Sequence, residues 1–207
     1  MKKRKIFSAI SALMMTIFAV GSLKTSAATV NLSEQQKKEY YKQYEEIVDE
    51  INSGEPNATL ELVPFEEFNS EDYLEPSEFE KYAAERADVK FTPTLESKSG
   101  SGITPFITVS ASKTETVKSN ETSAVIIKGS FNTQYNSSAK RQMFSGINSI
   151  TSSSSKGTWR QTGYTPTLID GGRTYEIIVG GKLTINSLTS MHNITVEFYC
   201  NANGSVS

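Results

Sequence analysis

His192 and Cys200 stand alone of their kinds in a chain of 207 residues. A thiol beside an imidazole is the simplest nucleophile–base pair a protein can build, so their spacing decides whether that chemistry is open. They lie eight positions apart on a segment that reads as one strand. At about 3.3 Å per residue that is a separation of roughly 26 Å, and a base must come within hydrogen-bond reach of its nucleophile. Cys200 also falls on an apolar face with Ile194, Val196 and Phe198, where a thiol acts as a small hydrophobe. A Ser–His–Asp triad would have to use the same histidine, and no serine occupies a Gly-x-Ser-x-Gly elbow. Zinc sites want three or four Cys, His or carboxylate ligands, which two such residues do not supply. The expectation is no catalytic residue, no metal and no cofactor.

Carboxylates are the other source of chemistry. Glu66, Glu67, Glu71, Asp72, Glu75, Glu78 and Glu80 form an acidic run, but no Asp-x-Asp-x-Asp-Gly calcium loop is present, and such runs are usually solvated faces. The second half of the chain offers Glu115, Glu121, Asp170, Glu176 and Glu197, and nothing in their spacing singles out two for glycoside hydrolysis. Trp159, Arg160, Tyr164, Arg173 and Tyr175 gather aromatic and cationic groups of the kind that make stacking and hot-spot contacts. They are the candidate binding residues, although the same types are ordinary sheet residues. The basic residues of this half are spread without clusters, which argues against nucleic acid.

These residues sit in a chain whose parts differ in physics. Lys2, Lys3, Arg4 and Lys5 precede a 15-residue apolar run from Ile6 to Val20, and Ala27 and Ala28 offer a small-residue cleavage region. That order is a secretory signal peptide over residues 1–28, and the run is shorter than the about 20 residues a spanning helix needs. Residues 29–90 carry 17 acidic and six basic groups, and residues 91–207 carry six acidic and ten basic. The first unit is Glu- and Tyr-rich and the second Ser-, Thr- and Gly-rich.

In the first unit Ser33 and Gln36 form a capping box, and Tyr40, Tyr44, Ile47, Val48 and Ile51 make one helical stripe that ends at Gly54. Residues 59–63 alternate as a short strand, and a second helix runs from Pro76 to about Ala87 with Phe79, Tyr82, Ala83 and Arg86 on one side. Residues 93–102 are a Ser/Gly linker. Beyond it the apolar period is two. Gly171-Gly172 and Gly180-Gly181 read as turns, and residues 139–150 read ambiguously between helix and strand. The fold class expected is α+β: an acidic helical unit over residues 29–92, then an antiparallel β-sandwich or barrel-like domain over residues 103–207.

Tyr41–Asn52, Leu62–Glu67 and Pro76–Phe79 together resemble the leading segment of small secreted proteins of Gram-positive bacteria. The resemblance covers residues 32–88 and implies export without implying a mechanism. The functional expectation is a secreted, non-enzymatic binding or interaction protein, with an extracellular or cell-surface ligand and no membrane span once the signal is removed. Two alternatives follow from the layout. One is an antimicrobial or membrane-acting β effector guarded by a cleavable acidic segment; the other is a carboxylate-dependent hydrolase.

Overall fold

The computed structural model describes residues 32–54, 59–93, 109–119 and 123–207. The signal peptide and its Ala27–Ala28 cleavage region lie outside the described residues, as does the expected linker from residue 94 onward.

The fold is α+β with two antiparallel sheets. Helix α1 (Glu34–Gly54) and helix α2 (Pro76–Ala87) flank strand β1 (Leu60–Leu62). Strand β2 (Phe91–Pro93) leads to β3 (Val109–Ser119), β4 (Ala124–Asn136), β5 (Arg141–Ser154), β6 (Thr158–Ile169), β7 (Thr174–Ile185) and β8 (Leu188–Tyr199). One sheet has the order β1-β8-β7-β6 and the other β2-β3-β4-β5. Val125, Ile127, Phe131, Phe144 and Ile150 of the second sheet share one core with Ile177, Val179, Ile194, Val196 and Phe198 of the first. Strict alternation on long strands turns every second side chain inward, so each sheet buries one face.

The α1 start follows the capping box. Ser33 N donates to Gln36 Oε1 at 2.9 Å, and Gln36 N donates to Ser33 Oγ at 3.4 Å. Its stripe folds onto a second core of Tyr44, Val48, Phe68, Tyr73, Phe79 and Ala83. Tyr44 stacks on Phe79 with ring centroids 3.9 Å apart. Its hydroxyl donates to the Leu74 carbonyl and accepts from Leu74 N. Leu60 of β1 and Leu188 of β8 complete this core, so the acidic unit buries its apolar face against the sheet.

Two local expectations change. Gly180-Gly181 is no turn, because β7 runs through it as one 12-residue strand. The reversal comes instead at Asn186 and Ser187, with φ of 48° and 58°. Two consecutive positive-φ residues match the right-handed twist of a hairpin, and asparagine tolerates that region well. Residues 139–150 resolve as a turn followed by β5, whose pairing with β4 shifts register twice, between Ser130 and Phe131 and between Asn132 and Thr133. Such bulges blur the period-two signal in the sequence.

Candidate functional site

The β7–β8 hairpin is where the two units meet. Ser187 Oγ donates to Asp72 Oδ2 at 2.5 Å and accepts from Asn69 N at 3.2 Å. Tyr82 on α2 donates its hydroxyl to the Ile185 carbonyl at 2.8 Å. Met191 N donates to Thr59 O at 3.1 Å, extending the β1–β8 ladder by one bond. Lys182 and Glu61 form an ion pair at 2.6 Å on the exposed side.

At this seam α2 drives Arg86 onto the inner face of the first sheet. Helical spacing places Arg86 on the side of Phe79 and Ala83, all three buried. Its Nη2 donates to Ser190 Oγ at 2.7 Å, and Ser190 Oγ lies 2.8 Å from His192 Nε2. Ser190 and His192 are two residues apart on β8, so both point to the same face. Their cross-strand partners are Leu183 and Gly181. The His192 ring meets Phe91 of β2 in a T-shaped arrangement, with centroids 4.9 Å apart at 80°. Burial, with Arg86 adding to it, pushes the imidazole down from 6.5 to about 4. The ring is therefore neutral at ordinary pH.

A cavity of about 360 Å³ opens beside this chain of contacts. Arg86, Lys90, His192, Ser190, Asn193, Thr59 and Thr162 give it polar walls, and Leu60, Ala87, Val89 and Met191 give it apolar ones. No carboxylate lines it among the described residues. The cavity belongs to neither unit alone: α2 and β1 supply one side, and β6, β7 and β8 the other.

Ser190 and His192 make a hydroxyl–imidazole contact, but Ser190 is only 3% exposed and its oxygen already accepts from Arg86. A nucleophile must reach its substrate, so the contact is suited to locking α2 onto the sheet. Cys200 is fully buried, and burial pushes its thiol up to about 11, with Arg141 opposing the shift. That is the opposite of the activation a nucleophilic cysteine needs.

The five candidate binding residues do not converge on one surface. Trp159 packs against the two-sheet core, and its Nε1 donates to Ser152 Oγ at 2.7 Å. A side chain at Gly181 would come within 2.1 Å of the indole, so the absence of a Cβ there makes room for Trp159. Tyr175 packs on Phe144 and Phe131 with centroids 4.8 and 5.8 Å away. Arg173 braces its own turn by donating to Asp170 O at 2.8 Å. Arg160 and Tyr164 are exposed, separated along β6 by a register shift between Gln161 and Gly163.

Among the acidic residues, Asp72 and Glu75 take part in packing, the latter by accepting from the Tyr40 hydroxyl at 2.9 Å. Glu176 and Glu197 stand directly opposite each other across β7 and β8. They alternate with buried Ile177 and Phe198, so they occupy the sheet's outer face. Spacing along the chain does not reveal that pairing, because strand register creates it. The Arg86–Ser190–His192 group was equally out of reach of linear reading; Arg86 on the apolar side of α2 was its one visible trace.

No protein-family model matches the chain, and neither the curated proteins nor the solved structures yield a match. Among the described residues no helix is long and apolar enough to cross a membrane.

Proposed function

We propose that this is a secreted, non-enzymatic binding module that works as one piece, with its ligand site in the pocket at the seam. The observation that carries the reading is joint construction. The cavity of about 360 Å³ exists only where α2 and β1 meet β6, β7 and β8. Volumes of roughly 300–1,000 Å³ with a few convergent polar groups suit small ligands. Export rests on the signal peptide read at residues 1–28. The buried Ser190 and the high-titrating Cys200 support a binding role over catalysis. A cleavable guard would have to take β1 out of a hydrogen-bonded sheet and uncover Leu60 and Leu188, both at most 3% exposed.

Two measurements test this together. Intact mass of the protein recovered from culture medium should give one species beginning near Ala28; a species beginning between residues 96 and 103 would support the guard instead. A small-molecule fragment screen read by NMR should perturb the single histidine, His192, together with Met191 and Asn193. Hits that all map elsewhere would remove the pocket from consideration.

A further inference from the structure

We propose that the seam pocket takes a small neutral saccharide, with its hydroxyls bound by Thr59, Thr162, His192 and Asn193 and its C–H face against Met191. The inference rests on the reading that this pocket is the ligand site, and it adds the ligand's chemistry.

Three observations carry it. The first is which lining groups are already engaged. Arg86 donates to Ser190, and Lys90 also interacts within the protein, so neither cation marks the pocket for an ionic ligand. Thr59, Thr162 and Asn193 line the same cavity and are exposed. Their side chains make no hydrogen bond among the described residues. Hydroxyl and amide groups both donate and accept, which is what a sugar hydroxyl requires of a partner.

The second is convergence. A Cβ on Gly180 would lie 3.0 Å from Thr162 Oγ1 and 3.3 Å from Asn193 Oδ1. The two oxygens therefore flank bare backbone, and no hydrogen bond joins them. Gly180 stands inside β7 without a positive φ, so no turn requires it. Glycine weakens a strand interior and often marks a place where a ligand comes close to the backbone. Neighbouring hydroxyls on a sugar ring bridge two such oxygens.

The third is the rest of the wall. His192 Nε2 meets Ser190 Oγ, and the uncharged ring keeps its second nitrogen for a ligand. Met191 is 43% exposed, and its thioether gives ring C–H groups an adaptable apolar surface. A cavity of about 360 Å³ is at the small end of ligand pockets, which suits a mono- or disaccharide. Because binding makes no ion pair, affinity stays constant as salt is added.

The test is NMR titration of the secreted protein with maltose, cellobiose and chitobiose, against glycerol, N-acetylglycinamide and benzoate as comparison probes. The expected result is saturable, salt-independent shifts at His192, Met191 and Asn193 with at least one disaccharide, and weaker ones with the comparison probes at equal concentration. Thr162→Val and Asn193→Ala should each weaken that binding about fivefold. Thr167→Val, an exposed threonine on β6 outside the cavity, should not. Both test residues are exposed, so the variants keep the fold, and an unchanged thermal midpoint checks this. Undiminished binding in both variants would overturn the assignment. Glycerol matching the disaccharides would overturn recognition of a ring, and N-acetylglycinamide matching them would give the pocket to a peptide group instead. Salt-sensitive binding led by benzoate would overturn neutrality. If no disaccharide binds while other fragments shift the seam residues, the saccharide falls and the pocket stands. Silence of every probe and fragment at those residues would overturn this inference and the reading beneath it.

Discussion

The single histidine makes one prediction unusually clean. Folded, His192 titrates at about 4; unfolded, it returns to 6.5. Between these values the unfolded chain binds the extra proton and the folded one does not, so stability falls as pH drops through this window. It is fully retained above 6.5, and the loss is complete below 4. At pH 5 the unfolded ring is almost wholly protonated and the folded ring only about a tenth protonated, which integrates to about 2 kcal/mol lost relative to pH 7.5. His192→Gln keeps a polar partner for Ser190 and cannot titrate. Urea unfolding of both proteins at pH 7.5 and 5 gives the answer, because the carboxylates contribute the same slope to each and cancel. The wild type should lose about 2 kcal/mol more than the variant over that interval. Equal losses, or a histidine signal titrating near 6.5 in the folded protein, would refute the claim that this ring is desolvated beside Arg86.

Phe79→Ala removes the ring stacked on Tyr44 and should cost about 3–5 kcal/mol in chemical denaturation. Gly181→Ala forces a methyl into the Trp159 ring. It should cost about 1–3 kcal/mol and shift the emission of the only tryptophan in the chain. Glu197→Lys turns a like-charge pair opposite Glu176 into an attractive one. It should raise stability by about 0.5 kcal/mol, seen as a higher thermal midpoint that shrinks with added salt.

Much of the architecture was legible because its causes are local. The Ser33–Gln36 box, the Tyr44–Val48 stripe and the Pro76 start each depend on residues within two helical turns, so the two helices could be read from spacing. Alternation did the same for β4 and β8, and Cys200 fell on the buried face where its neighbours placed it. The reading failed where local chemistry was outvoted. Gly180-Gly181 has turn composition, yet Gly181 is needed as open space beneath Trp159, a residue from another strand. The hairpin then closes at Asn186-Ser187, where Ser187 is held by Asp72 and Asn69 more than 110 positions away.

Composition and periodicity alone established an acidic helical segment and a Ser/Thr-rich antiparallel segment, because each depends on neighbours a few residues apart. Tertiary structure decided that β1 joins the sheet of the second segment, that Glu176 meets Glu197, and that Arg86 reaches Ser190, the residue bonded to His192. Those pairings are fixed by strand register and by how α2 lies on the sheet. Both quantities are set by the packing of distant apolar surfaces, and no local spacing encodes them.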